Sequence, residues 1–408
     1  MNTGNLFVES FYDALQQKGI GYCILRNADE IRLGDAHDID MTVDAARLEE
    51  AGECLFTCAQ KLNWHLHFAA GSFRDPYHFK PLHFYHIGEN GTVSIVHFDI
   101  CPTFAWDGYV IVSNDTLLRD IDASDCYHTV HPSAEAVIDF FIRLLYNGYI
   151  KDKYKERIHD FFRDYPQQVR QNLEEIISEE HAETLMYHVS ARNWEAAAAM
   201  RSVFIRDIKK KAVTYRRSLV WHKLRKLWYY PGVMVAVEGC DGSGKSTLIE
   251  GLRPILRNTF TEDCFHCRRG PGTADCEKAA EGLPALLMLM QRAAKDILNY
   301  WIGFRRKLGA GHLIAYERYN GASYLHRQRL ARVWGCLIRR FVPQADITLV
   351  LLCKSAATHL QQEQNARLKN AMHSRENAVM LDADQAPEQL INKAAAAILK
   401  TMAARYRA

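Results

Sequence analysis

The chain has 408 residues, 48% of them hydrophobic and 24% charged, which is long for one domain and enough to bury two ordinary cores. Its formal charge of +3 is too small to argue for nucleic acid, no apolar run reaches the ~18 residues of a membrane span, and the opening MNTGNLFVES has neither region of a secretion signal. The 11 cysteines are scattered along the chain, so reduced thiols and a cytoplasmic location are the expectation.

Phe7, Phe11 and Leu15 at four-residue spacing predict an opening amphipathic helix that closes near Gly19. A strand over Tyr22 to Leu25 follows, then a polar loop and a second strand from Asp38 to Val43. Side chains alternate along a strand, so Asp38 and Asp40 share a face, and two carboxylates that close are costly unless a cation lies between them. Ser94 to Pro102 reads as another strand, with Asp99 alone among apolar neighbours. Histidines are dense between Trp64 and Asp99, and the pairs His65/His67 and His83/His86 offer ligands for a metal such as zinc. Their spacing matches no recognised zinc motif, and histidine alternating with apolar residues is how a half-buried strand looks, which is the preferred reading. From Ser133 to Phe162 the spacing turns helical, with Asp139 and Arg143 expected as an i, i+4 surface pair.

An Asp-x-Asp strand with a third acid on a neighbouring strand resembles the nucleotidyltransferase fold, in which such acids hold two divalent metals. The resemblance implies a nucleotidyltransferase-like α+β domain over residues 1–200, with Asp38, Asp40 and Asp99 as metal ligands. Where that family carries a Gly-Ser pair ahead of the first acid, this chain reads Leu25, Arg26, Asn27. Three readings stand side by side: a working nucleotidyltransferase, a non-catalytic domain of that fold that binds nucleotide or substrate, and an unrelated α/β domain whose Asp pair is a solvated strand end.

Residues 201–232 read as a basic amphipathic joint, in which Arg201, Arg206, Lys209 to Lys211, Arg216, Arg217, Lys223, Arg225 and Lys226 face a lone acid, Asp207. Interleaved Phe204, Ile208, Trp221 and Trp228 make 201–228 compatible with peripheral contact at an anionic membrane, the inner face of a cytoplasmic membrane included, or with a polyanion. A linking helix with solvated charges is the alternative.

Val233 to Glu238 reads as a buried strand, the segment from Gly239 to Gly244 as a turn, and the residues from Ser246 on have helical spacing through Leu248, Leu252 and Ile255. The run Gly239, Cys240, Asp241, Gly242, Ser243, Gly244, Lys245, Ser246, Thr247 matches the P-loop, whose backbone N–H groups converge on phosphate at a helix N-terminus. Lys245 is placed to reach the β- and γ-phosphates of ATP and Ser246 to ligate Mg²⁺. Downstream, a short strand ending near Cys267 leads into a basic turn from Arg268 to Thr273; Cys264 and Cys267, with Cys276 nearby, make a weak zinc signal. A long helical run from Leu283 to Gly303 feeds an apolar strand, His312 to Tyr316, followed at once by Glu317, Arg318 and Tyr319.

A strand ending in an acid and then Arg-Tyr, downstream of GCDGSGKST, resembles the Asp-Arg-Tyr signature of thymidylate kinases and their relatives, some of which occur among polysaccharide and lipopolysaccharide biosynthesis proteins. FVPQADITLVLLC (Phe341 to Cys353) and AVMLDADQAPEQL (Ala378 to Leu390) are similar to later landmarks of that family. The resemblance implies a P-loop NTPase domain over 233–408, a three-layer αβα sandwich with a parallel sheet, using ATP and Mg²⁺. By the same resemblance Asp241 faces the phosphoryl acceptor, Glu317 supports Mg²⁺ or the acceptor, and Arg318 binds acceptor phosphate. Two departures stand out: Gln361 and Gln362 occupy the place of an Arg-Lys pair, leaving Arg367, Lys369 or Arg375 as the lid cation, and Glu317 replaces Asp. The expected function is an ATP-dependent phosphotransferase acting on a nucleoside monophosphate or on a sugar or glycan intermediate. The alternatives are a bifunctional kinase and nucleotidyltransferase, and a nucleotide-gated binding protein with both sites degenerate.

Overall fold

The computed structural model describes residues 3–26, 38–70, 73–77, 79–121, 127–214, 231–240, 242–256, 259–260, 264–268, 283–317, 319, 341–353, 359–373 and 375–407. The chain divides into two compact units, Met1–Phe84 with Val96–Leu224, and Tyr85–Ile95 with Arg225–Ala408. The second unit therefore takes in a segment from the first half of the sequence that the expected boundary at 233 left out, and Tyr85 joins its buried apolar cluster.

The first unit holds helix α1 (Thr3–Gln17), strands β1 (Tyr22–Ile24) and β2 (Asp38–Val43), helix α2 (Leu48–Lys61), strand β3 (His65–Ala69) and most of β4 (Lys80–Ile87) and β5 (Val93–Ile100), of which 85–87 and 93–95 fall in the second unit. The strands form one sheet in the order β1-β2-β5-β4-β3, with β1 antiparallel to β2 and β2 parallel to β5. Period-two alternation sorts its two faces. Ile39, Met41, Phe84 and Phe98 pack with Phe7 and Phe11 of α1, and the Phe7 ring lies 5.1 Å from that of Trp64. Asp38, Asp40, His97 and Asp99 alternate with those residues. Gly19, at φ 63°, ends α1 as the expected C-terminal glycine.

After the short strands β6 (Phe104–Trp106) and β7 (Tyr109–Val112) and the one-turn helix α3 (Asn114–Leu117), six α-helices follow among the described residues of the unit. They are α4 (Pro132–Ile142), α5 (Asp152–Asp164), α6 (Pro166–Ile176), α7 (Glu179–Ser190), α8 (Trp194–Ala199) and α9 (Arg201–Lys211). Two sequence expectations change here. Asp139 is 1% exposed, held by Arg157 of α5 and 3.6 Å from Arg143, because the face of α4 that carries it packs on α5; the expected surface pair is a buried ion cluster. The joint expected from residue 201 begins as α9, whose Phe204 and Ile208 are wholly buried in the helical core. Two of its cations cap other helices: Arg201 donates to the carbonyls of Leu144 and Leu145, and Lys211 to those of Glu174 and Ile177. The remainder of the joint, 215–230, lies outside the described residues. Among the described residues no helix is long and apolar enough to cross a membrane.

The second unit contains β8 (Val233–Gly239), α10 (Lys245–Leu256), β9 (Cys264–Arg268), α11 (Leu283–Leu298), α12 (Arg305–Gly309), β10 (Leu313–Glu317), β11 (Ile347–Leu352), α13 (His359–Met372), β12 (Ala378–Asp382) and α14 (Pro387–Arg407). Its five strands are all parallel, in the order β12-β11-β8-β10-β9. Both faces are covered, as near-continuous apolar strands require. Val233, Val235 and Val237 pack with Leu248 of α10 and Ile398 of α14, while Met234 and Ala236 pack with Ala293 of α11 and Leu308 of α12. This is the parallel α/β sandwich expected of a P-loop NTPase, with β8 at its centre.

Candidate functional site

The carboxyl edge of that sheet carries the site, as parallel α/β sheets dictate. The turn from β8 into α10 needs its glycines for distinct reasons. A Cβ on Gly239 would lie 2.5 Å from Ser243 Oγ and 3.1 Å from the Leu351 carbonyl, whereas Gly242 and Gly244 adopt φ of 82° and 80°, a region that L side chains resist. The result is a loop folded tightly against β11 with the N-terminus of α10 opening above it.

Lys245 is buried and its Nζ donates to the carbonyls of Gly239 (3.1 Å) and Cys240 (2.6 Å). Burial lowers its pKa, with Glu317 the largest opposing influence. Ser246 Oγ donates to Glu317 Oε1 at 2.8 Å, so the hydroxyl at the helix start and the acid at the end of β10 meet although 71 residues separate them. Cys240 and Cys353 bring their sulfurs to 3.8 Å, and burial raises the Cys353 thiol to about 11. A cleft of ≈ 440 Å³ opens over this loop, walled by Ser243, Thr247, Cys353, Gln361, Asp384 and Pro387.

Of the residues expected from sequence, the structure brings together Gly239, Cys240, Gly242, Ser243, Gly244, Lys245, Ser246, Thr247 and Glu317. Asp241 and Arg318 lie outside the described residues, as do 269–282, which hold most of the basic turn and Cys276. Arg367 lies on α13, and its side chain is likewise outside the description, as are those of Cys264 and Cys267. Gln361, flagged for its departure from the lid pattern, lines the cleft, whereas Gln362 is exposed. The far wall, Asp384 to Pro387, was missed. The signal for it was present: in a parallel sheet the end of β12 must open on the same edge as the end of β8.

In the first unit, Asp40 and Asp99 lie directly opposite each other on β2 and β5, with Asp38 opposite His97. The cation beside Asp40 is Arg26, 2.8 Å away. Burial first, then Asp38 and Asp40, push the Asp99 carboxyl up to about 8, against the opposing influence of Arg26. Glu135, beside Arg157 at 3.1 Å, is pushed by burial to about 7. The expected triad is thus gathered on adjacent strands. Its oxygens are not drawn within 4.8 Å of one another, a closeness that among the described residues belongs to His67, His83 and His97. The within-strand partners considered from sequence, His65 and His86, are not in that group.

A scan against protein-family profiles finds no match. Over 124 residues, 29% of this chain and 64% of the other, the sequence is 28% identical to the probable thymidylate kinase 1 of Saccharolobus solfataricus. The chain therefore spans less than two thirds of that relative's length. Among solved structures it is similar to a thymidylate kinase from Ehrlichia chaffeensis, at 16% identity and a TM-score of 0.32 over 41% of this chain and 98% of that one. A second, from Candida albicans, aligns at 15% identity and a TM-score of 0.30 over 41% and 90%. Over part of its length, then, the chain is similar to thymidylate kinases, and its second unit has the parallel sheet and phosphate loop of a P-loop NTPase.

Proposed function

We propose that the second unit is an ATP-dependent phosphotransferase acting on a nucleoside monophosphate. One observation carries the reading: Lys245, Ser246 and Glu317 converge at the carboxyl end of the central strand beside a cleft large enough for a nucleotide. The ammonium of Lys245 and the N–H groups of the loop supply positive potential for the phosphates, and its present carbonyl partners are what phosphate oxygens would replace. Ser246 and Glu317 form an oxygen donor pair that would hold Mg²⁺, a hard cation that takes few protein ligands. When bound, Mg²⁺ neutralises charge on the transferred group. The protein's own part is to orient the nucleotide, since phosphoryl transfer asks for positioning and electrostatics more than covalent help.

The nucleoside monophosphate is favoured as acceptor by the sequence relative; a sugar or glycan intermediate is the competing acceptor. The test is transfer of label from γ-labelled ATP to a panel holding both classes, with Lys245→Ala as control. Transfer to a nucleoside monophosphate that vanishes in the variant supports the reading. Absence of transfer to any acceptor, with background ATPase equal in both proteins, overturns it.

A second reading concerns the first unit, where the pairing of Asp40 with Asp99 favours a metal-dependent nucleotidyltransferase. Arg26, seated on Asp40, would have to yield to the metal. Pyrophosphate release from a nucleoside triphosphate, lost in Asp99→Ala and retained in Lys245→Ala, supports it; no release from the wild type removes it.

A further inference from the structure

We propose that His67, His83 and His97 form a binding site for a divalent transition metal of the zinc class, in the first unit and independent of the kinase reading. Strands β3, β4 and β5 are sheet neighbours in the order β5-β4-β3, and each contributes one imidazole. All three side chains offer a ring nitrogen within 4.8 Å of the others. Adjacent strands place opposed side chains about 5 Å apart in any case, so closeness alone is not the argument.

The argument is what has been placed there. His67 is fully buried and His97 is 4% exposed, yet both positions hold a polar ring where a sheet face ordinarily carries an aliphatic side chain. His83 Nδ1 is buried with no hydrogen-bond partner among the described residues. The rings also touch one another: His83 and His97 stack at 3.8 Å between centroids, and His67 lies 5.8 Å from His83. Three imidazoles in mutual contact repel if more than one is protonated, and burial lowers the pKa of His67 and His83 accordingly. Three imidazoles grouped in this way are the donor set that selects zinc, copper or nickel over magnesium or calcium.

Three histidines leave a fourth position of a tetrahedral site open to water or another ligand. At a metal–nitrogen distance of about 2.0–2.1 Å, tetrahedral ligand nitrogens stand about 3.3 Å apart. The ring nitrogens, all within 4.8 Å of one another, reach that spacing by adjustment of the stacked His83 and His97 side chains, with the strands left in register. Such a site ties three strands together at the sheet's edge and stabilises the folded unit by mass action.

The test uses the tag-free full chain, stripped with chelator and dialysed. Expected are one bound Zn²⁺ per chain by elemental analysis and, with Co²⁺, the intense visible bands of a tetrahedral ion. His97→Ala should weaken Zn²⁺ binding by more than the ~10–100-fold that losing an outer-shell partner costs, and His83→Gln serves if His97→Ala does not fold. His65→Ala and His86→Ala, on the same strands and outside the trio, should bind as the wild type does. The proposal is overturned if the wild type takes up no Zn²⁺ or Co²⁺, or if uptake survives in both His97→Ala and His83→Gln.

Discussion

Substituting Gly239 by alanine tests whether the phosphate cradle is as tightly seated as the structure shows. The new Cβ would lie 2.5 Å from Ser243 Oγ, 3.1 Å from the Leu351 carbonyl and 3.2 Å from Leu351 Cβ. Ser243 can rotate away, which costs about 0.5–1.5 kcal/mol if it leaves its rotamer well. The Leu351 carbonyl cannot: it belongs to the strand paired with β8, where Leu351 lies opposite Gly239. Adding that contact puts the total in the ~1–3 kcal/mol range of overpacking. Because the Gly239 carbonyl also receives Lys245, the strain passes into the loop, and ATP·Mg²⁺ affinity should fall about 5–150-fold, the equivalent of ~1–3 kcal/mol. Calorimetric titration with ATP·Mg²⁺ and urea unfolding measure the two effects. The double variant Gly239→Ala/Ser243→Ala removes the worst contact, and Ser243 Oγ has no hydrogen-bond partner among the described residues to forfeit, so at least half the loss should return. Wild-type affinity and stability in Gly239→Ala, or no recovery in the double variant, would refute this account of the loop.

Ser246→Ala and Glu317→Gln should each cut phosphoryl transfer by about 10²–10³-fold in a coupled assay, the scale of losing one preorganised transition-state contact, with urea midpoints little changed. Asp99 carries a pKa of about 8 in the fold against an ordinary 3.8, so the folded state holds a proton that the unfolded chain gives up. Its contribution is intact below pH ~4 and is lost as pH rises towards 8, by about 6 kcal/mol at most. Asp99→Asn should therefore flatten the urea stability profile between pH 5 and pH 8; an unchanged slope would mean the carboxyl ionises freely in the fold. Arg157→Ala should destabilise by about 2–3 kcal/mol. That is less than the ~3–5 of a fully buried pair, because Arg157 is partly exposed and Arg143 remains beside Asp139. Unfolding of the variant at the wild-type urea midpoint would remove the buried cluster from the account.

How much of this was readable in the chain follows from how far each feature reaches along it. The phosphate loop is contiguous, and strand, glycines, lysine and helix all announce themselves within a short window, so its local fold and its place in a parallel sheet were legible. Asp38 and Asp40 were placed on one face by strand period alone, and β2 does run from Asp38 to Val43. What the sequence could not supply was register across strands. It paired His65 with His67 and His83 with His86 because those are neighbours in the chain, whereas the cluster draws one ring from each of three strands. Composition misled in the same way at Asp139 and at α9: charge was legible, but the face it occupied depended on which helix packed there.

The two halves of the chain place polar chemistry in different ways, and that difference decides what each can do. In the second unit the candidate site residues gather at the carboxyl edge of the sheet, in the turn after β8 and the start of α10 and at the last paired residue of β10, where Glu317 lies opposite Val237. Lys245 and Glu317 are thereby buried at that edge, next to a cleft lined by their loop neighbours Ser243, Gly244 and Thr247. In the first unit Asp40, Asp99, His83 and His97 project from within paired strands, so each pays desolvation before it meets any ligand. Arg26 offsets that cost for Asp40, protonation does so for Asp99, and a lowered pKa does so for His83. All three devices are ones that a bound cation would displace or exploit. A polar row on a sheet face is stable only with some such compensation, and the identity of the compensating ion is what separates a nucleotidyltransferase-like centre from a structural metal site. Metal analysis of the stripped and reloaded chain, done with both Zn²⁺ and Mn²⁺, therefore bears on both ends of this row. Uptake of Zn²⁺ that depends on His97 and not on Asp99 assigns the metal to the imidazoles, and uptake of Mn²⁺ that depends on Asp99 assigns it to the acids.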